Sequence, residues 1–90
     1  MKIWALLRQD EKIAKDMVFS LESAQQSIAH AIAQACEAFD LPRPLLLPKH
    51  EHEFFQFHRT VFTRDMFVES IVYDALELVE IVEKKKDSLA

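Results

Sequence analysis

The stretch "KIWALLRQDEKIAKDMVF", residues 2–19, sets the N-terminal part of the fold. Two runs rich in apolar residues flank a short polar connection at residues 9–11. In the second run Ile13, Met17 and Phe19 share one face of a strand with Lys15, and the other face consists of Ala14, Asp16 and Val18. This alternation predicts a β-hairpin with one covered side, although the usual Asn-Gly turn signal is missing.

An amphipathic helix is predicted over residues 24–39. Ser23 and Gln26 form a Ser-x-x-Gln capping box, in which each side chain satisfies a free backbone amide at the helix start. Pro42 and Pro44 end the helix, since proline cannot continue its hydrogen-bond ladder. At 100° per residue one face is apolar, and its members are Ile28, Ile32, Ala35, Cys36 and Phe39.

Residues 49–60, "KHEHEFFQFHRT", carry three of the four histidines and three of the seven phenylalanines. Phe54, Phe57 and His58 have the i, i+3, i+4 spacing of a helix face. Phe55 and Phe57 instead alternate as they would on a strand. We favour the helix, with part of the phenylalanine set buried and the histidines exposed to solvent.

The C-terminal segment "FVESIVYDALELVEIVEKKK", residues 67–86, fits two structures. Its β-branched residues favour a strand beginning near Asp74. Its apolar residues also form a helical stripe over four turns, and periodicity alone favours the helix. The stripe consists of Val68, Ile71, Val72, Ala75, Leu76, Val79 and Val82.

The stretch "HRTVFTRDMFVESIVYDALELVEIVE", residues 58–83, has the pattern Arg-Thr-x-Phe-x-x-Asp-x-Phe-x-Glu followed by an acidic-apolar tail. With the opening "MKIWALL…KIAKDMV", it resembles an uncharacterised family of small bacterial proteins without an assigned activity. The resemblance implies a C-terminal strand rather than a helix and implies no function. We therefore predict one α+β domain over residues 1–90: an N-terminal hairpin, one amphipathic helix on a small antiparallel sheet, and a C-terminal strand.

Composition excludes several kinds of protein. Half of the 90 residues are apolar, which suits a packed globule and not a disordered chain. The chain has no glycine, so neither a Walker loop nor a Gly-x-Gly-x-x-Gly turn can be present. Cys36 is the only cysteine, and no secretory signal or membrane span is recognised, so we expect a protein of the reducing cytoplasm.

Charge directs attention to the middle of the chain. The net charge is −4, which argues against general affinity for nucleic acid. Residues 41–64, however, hold four Lys/Arg against two Glu. An anionic ligand or a single-stranded nucleic acid would be bound by the candidates His58, Arg59, Thr60 and Arg64. The favoured alternative is internal ion pairing of the arginines, with Asp65, Glu69 and Asp74 as the candidate carboxylates.

A metal site is the less favoured use of the histidines. His50, His52 and His58, completed by Asp65 or Glu69, could hold a metal ion and serve a metal-dependent hydrolase. The spacing matches no known structural zinc pattern, and there is no cysteine pair. We therefore expect no metal and no other cofactor.

The absence of cofactor loops and nucleophile motifs, with the high apolar content, favours a non-enzymatic interaction or accessory module. We expect it to associate with itself, as in a homodimer, or with a protein partner, and not with a membrane. A metal-dependent hydrolase and a nucleic-acid-binding accessory protein remain the alternatives.

Overall fold

The structure, a computed structural model, describes residues 1–22 and 27–82 of the chain. Within these ranges the strands form one antiparallel sheet in the order β2-β1-β4-β3. Two helices accompany the sheet, which confirms the predicted α+β class. The antiparallel pairing of the first two strands confirms the N-terminal hairpin. The elements are β1 Lys2–Gln9, β2 Lys12–Ser20, α1 Ile28–Phe39, α2 Pro48–Phe57, β3 Arg59–Thr63 and β4 Ala75–Ile81, with a short 3-10 turn at Arg64–Met66 before β4.

The hairpin turn consists of the two residues Asp10 and Glu11. Their φ angles are 54° and 65°, as a type I′ turn requires at both central positions. Glycine adopts this conformation most easily, so a chain without glycine makes the turn with Asp10, a residue type that tolerates it, and with Glu11, which does not favour it. Part of the compensation comes from Asp74, whose carboxylate accepts the Asp10 backbone N–H at 2.8 Å.

A bulge in β2 changes which side chains share a face. Leu7 pairs with Lys15, but the next residue of β1, Arg8, pairs with Ile13, so Ala14 is the extra residue. Ile13 therefore lies opposite Arg8 and is 44% exposed. Strict alternation wrongly predicted it on the covered side of β2, because one inserted residue reverses the facing of the residues beyond it.

The covered face of the sheet forms the core. Leu76 pairs with Leu7 on one side and with Phe62 on the other, and Leu78 pairs with Ala5. All five are fully buried in one cluster together with the apolar faces of both helices. Burial of a large apolar side chain of this kind stabilises the fold by about 1.5–3 kcal/mol.

Helix α1 confirms the predicted amphipathic helix on the sheet. Ser27 is the N-cap, and its hydroxyl accepts a backbone N–H of the first turn. Asp40 ends the helix with a left-handed backbone at φ 58°. The predicted capping box of Ser23 and Gln26 lies outside the described residues. The buried face consists of Ile28, Ala31, Ile32, Ala35 and Cys36.

The C-terminal segment is a strand, as predicted from the resemblance, and the helical alternative is wrong. β4 runs between β1 and β3, so both edges of its backbone are hydrogen-bonded to neighbouring strands. Val68 and Val72, which began the helical stripe, are 80% and 68% exposed in the connection before β4. Cross-strand pairing along the whole of β4 outweighs the helical period of its sequence.

The favoured helix in "KHEHEFFQFHRT" is confirmed as α2, which has Pro48 at its first turn. His58 ends it with a positive φ of 62°, and the chain turns at once into β3. This strand was not predicted, because its five residues follow the helix with no glycine or proline between them. The reversal places α2 beside β3 and brings the predicted site residues to one edge of the sheet.

Candidate interaction surface

His50 is a structural residue. Its side chain is 1% exposed, and its ring packs on Phe62 with the ring centroids 4.3 Å apart. Its Nδ1 accepts the backbone N–H of Leu47, the N-cap of α2, at 3.1 Å. It takes the position of the Glu or Gln in a capping box, whose side chain accepts the backbone N–H of the N-cap residue. Burial, and next the nearby Lys49, lower the pKa of His50, while Glu53 opposes this change.

The expectation that all the histidines are exposed is therefore wrong for His50. A helix start has free amides, and a buried neutral imidazole can accept one of them. His52 is exposed on α2, and His58 lies at the far end of that helix, with Nδ1 3.1 Å from Glu80 Oε1. Within residues 1–22 and 27–82, no three His, Cys, Asp or Glu side chains are grouped closely enough to hold a metal ion.

Arg59 takes part in an ion-pair cluster on the sheet face opposite the helices. Its guanidinium nitrogen lies 2.8 Å from Glu77 Oε2, and Arg8 Nε lies 3.1 Å from Glu77 Oε1. The Glu77 side chain is only 8% exposed, whereas Arg8 and Arg59 are 42% and 57% exposed. A nearly buried carboxylate is thus neutralised by two arginines whose outer surfaces remain in solvent.

Arg64 pairs with a different carboxylate. Its guanidinium lies 2.7 Å from Asp74 Oδ1, and its Nε donates to the Tyr73 carbonyl at 3.1 Å. Asp74 is thus the candidate carboxylate that pairs with Arg64, whereas the other two lie elsewhere: Asp65 accepts a short hydrogen bond from the Thr63 hydroxyl, and Glu69 is exposed. The hydrogen bond from the Thr63 hydroxyl is the largest effect that lowers the pKa of Asp65, and a backbone hydrogen bond lowers it further.

Thr60, a candidate ligand residue, is 2% exposed, and its hydroxyl donates to Glu53 Oε1 at 2.8 Å. The structure thus brings His58, Arg59 and Thr60 to the junction of α2 and β3. Arg64 lies at the other end of β3, beside the start of β4. The four candidates do not converge on one recess.

Cys36 packs in the core, as its place on the apolar face of α1 predicted. It is 2% exposed, and burial raises the pKa of its thiol to about 11, against a smaller opposing effect of Arg43. A thiol with this pKa is protonated at neutral pH and is a poor nucleophile.

One apolar residue, Leu6, is buried on the sheet face that points away from the helices. It is only 1% exposed. The indole Nε1 of Trp4 donates to Asp16 at 2.8 Å, and Asp16 and Glu77 flank Leu6 in the neighbouring strands. Trp4 and the ion-pair cluster together explain the burial of Leu6. Trp4 thus lies on the sheet face outside the main core.

Helix α2 carries the most exposed aromatic residues of the described chain. Phe54 is 6% exposed, but Phe55 and Phe57 are 86% and 62% exposed. Isolated exposed aliphatic residues are ordinary, whereas two phenylalanines on one ten-residue helix leave a large apolar area in water. The prediction that this segment buries only part of its phenylalanine set is confirmed.

Each of these phenylalanines lines an open groove on one flank of α2. The groove at Phe55, called groove B, has a volume of about 850 Å³. The groove at Phe57, called groove A, has a volume of about 500 Å³. Groove B is lined mainly by Met1, Ile28, Pro48, Phe54 and Phe55, with the polar residues Ser27, Glu51, His52, His58 and Glu80. Groove A is lined by Lys49, Glu53, Phe57, Arg59, Thr60 and Val61.

Glu77, the carboxylate of the ion-pair cluster, was not identified from the sequence. Once β4 is known to be a strand, alternation places Glu77 on the face opposite Leu76 and Leu78. No sequence signal pairs it with Arg8, 69 positions earlier. Only the register of β1 on β4 brings Leu6 and Glu77 together. Arg8 is the next residue of β1 on the same face of the sheet.

Comparison of the chain with protein-family models, with curated proteins and with solved structures gives no match. The resemblance of residues 58–83 to a family of small bacterial proteins therefore stays a prediction. None of the helices in the described ranges has the length and apolar character needed to cross a membrane.

Proposed function

We propose that this chain is a non-enzymatic interaction module of the bacterial cytoplasm. It associates with itself or with a protein partner through the two flanks of α2. The observation that carries the proposal is the exposure of Phe55 and Phe57, at 86% and 62%, beside two grooves. Aromatic side chains that project next to a recess are typical anchors of protein interfaces.

The polar groups near the grooves support binding rather than catalysis. Thr60 and Glu53 are hydrogen-bonded to each other, and Arg59 forms an ion pair with Glu77. The only cysteine is a buried, protonated thiol, which also suits a reducing cytoplasm. Such groups shape and orient an apolar surface, while the phenylalanines supply the area that a partner removes from water.

A photo-reactive phenylalanine analogue at position 55 or 57 tests this proposal in the cytoplasm where the protein is made. We expect discrete cross-linked products at both positions, identified by mass spectrometry as the chain itself or one other protein. The matched control is the same analogue at Val68, which is 80% exposed but lies outside α2. Equal labelling at Val68, or no discrete product at either phenylalanine position, would contradict the proposal.

A further inference from the structure

The flanks of α2 differ in charge as well as in shape. At 100° per residue, Lys49, Glu53 and Phe57 form one row along the helix, and Glu51 and Phe55 form another. The two rows lie on opposite sides of the buried direction marked by His50 and Phe54 and belong to grooves A and B, respectively.

Groove A is the basic flank. It carries Lys49 and Arg59, and the acid among its described lining residues is Glu53, which accepts the hydroxyl of Thr60. Arg59 is paired with Glu77, so Lys49 is the positive charge that this flank offers to a partner. Groove B is the acidic flank, because Glu51 and Glu80 line it and, within residues 1–22 and 27–82, none of its lining residues is a Lys or Arg. The surface of α2 therefore has complementary charges on its two sides, each beside an exposed phenylalanine.

From this arrangement we infer that the occupant of the α2 surface is a second copy of this chain, related by a two-fold axis parallel to α2. The inference rests on the proposed function and names its partner. Rotation about such an axis lays groove A of each copy against groove B of the other. The interface is then isologous, with each contact made twice.

The heights of the residues along the helix fit this symmetry. Lys49 and Glu51 are two positions apart, as are Phe55 and Phe57, so each pair differs by about 3 Å along the axis. In the dimer Glu51 faces the partner's Lys49, and Phe55 faces the partner's Phe57. Both Phe55–Phe57 contacts leave water at once, while the opposite charges fix the direction of docking.

An antiparallel arrangement of the two helices lacks these features. A two-fold axis perpendicular to α2 would lay groove A on groove A and groove B on groove B, so that Glu51 of each copy would share a flank with the partner's Glu51 and not with its Lys49. Like charges facing each other oppose association. The charge pattern thus distinguishes the parallel arrangement from its main alternative.

Charge reversal gives the sharpest test. In Lys49→Glu both flanks become acidic at this level, and in Glu51→Lys both become basic, so either variant alone should dimerise about tenfold more weakly. In an equimolar mixture each contact is again between opposite charges. We expect the heterodimer to form with a dissociation constant within about threefold of that of the unmodified protein. Native mass spectrometry with one variant labelled with ¹⁵N distinguishes the heterodimer from both homodimers.

Phenylalanine variants test the apolar part of the interface. Phe55→Ser and Phe57→Ser each remove both equivalent contacts, so sedimentation should show similar losses of about tenfold or more in dimer affinity for the two variants. Val72→Ser is the matched control, because Val72 is 68% exposed and lies outside α2. Circular dichroism and thermal unfolding establish that each variant is folded before its mass is measured.

The outcomes separate this inference from the function on which it rests. A monomer at all concentrations, with cross-links at position 55 to a different protein, overturns the dimer and leaves the interaction module standing. A dimer that is indifferent to all four substitutions in α2 overturns the inference, because another surface then joins the copies. A monomer without discrete cross-links overturns both. Preferred heterodimer formation by the charge-reversed pair supports the two-fold arrangement.

Discussion

The carboxylate of Asp74 accepts a hydrogen bond of 2.8 Å from the backbone N–H of Asp10. The same carboxylate lies 2.7 Å from the Arg64 guanidinium, and the backbone N–H of Asp74 donates to the Arg8 carbonyl at 2.7 Å. One residue thus joins the hairpin turn, the end of β3 and the start of β4. Segments distant in sequence meet at this point, and the glycine-free turn is held from outside.

Removal of this carboxylate should destabilise the protein measurably. We expect Asp74→Ala to lower the free energy of unfolding by about 1–2 kcal/mol, from the lost turn hydrogen bond and a half-exposed ion pair. Asp74→Asn should lose less, because its amide oxygen can still accept the Asp10 N–H. Urea unfolding measures both, with Asp65→Ala as the control, expected to change the value by less than about 0.5 kcal/mol. Equal effects of Asp74→Ala and Asp65→Ala would show that the contact has no energetic weight.

Glycine in the hairpin turn should stabilise the fold. Glu11 has a φ of 65°, which costs a side-chain-bearing residue about 1–2 kcal/mol relative to glycine. Glu11→Gly should therefore raise the free energy of unfolding by about 0.5–1 kcal/mol, after the extra freedom of glycine in the unfolded chain is subtracted. The control is Lys12→Gly in β2, which should destabilise the protein. Thermal unfolding midpoints that move in the same direction for both would count against the strained turn.

His50 should make stability depend on pH. Its pKa is lowered in the folded protein, so the unfolded chain binds the proton more readily. The contribution of His50 to the free energy of unfolding should be constant above the ordinary histidine pKa of about 6.5. It should fall as the pH drops from there toward the lower pKa of folded His50.

Urea unfolding at a series of pH values from neutral to mildly acidic measures this dependence. In His50→Gln the contribution should disappear, because an uncharged glutamine can also accept the Leu47 N–H as a capping-box residue. His52→Gln, on the exposed side of the same helix, is the control and should keep the slope. If the pH dependence of stability is lost in His52→Gln and kept in His50→Gln, then His50 is not its source.

The arginines around Glu77 should show strong non-additivity. Arg8→Ala or Arg59→Ala alone leaves one arginine on the carboxylate, so each should cost less than about 1 kcal/mol. Together they leave a carboxylate that is 8% exposed without either partner. The double variant should therefore exceed the sum of the single effects by about 1–2 kcal/mol. A double-mutant cycle by chemical unfolding measures this coupling, and simple additivity would show that Glu77 does not depend on the pair.

Local sequence patterns predicted much of the fold because their causes are local. Alternation indicated the hairpin, and the apolar face with its proline stop indicated α1. The spacing of the phenylalanines favoured α2. In contrast, β3 was missed, since five residues directly after a helix carry too little pattern, and Ile13 was misplaced by a bulge that depends on the partner strand.

The candidate site was less accessible to prediction from the sequence. His58, Arg59 and Thr60 do meet at one junction, but no sequence pattern indicated Glu77 or Glu53 as their neighbours. These contacts depend on register between strands and on the packing of α2 beside β3. A one-residue change in register would move Glu77 to the other face of the sheet.

The amino-acid sequence by itself determined the α+β class, the amphipathic helix and the exclusion of glycine-dependent nucleotide loops, because these follow from composition and short-range periodicity. Only the tertiary structure decided that residues 75–81 are a strand, that His50 is a buried cap and that Phe55 and Phe57 remain in solvent. The same side chain can be core, cap or contact surface. Which of these it becomes depends on partners distant in sequence that compete for its burial and its hydrogen bonds.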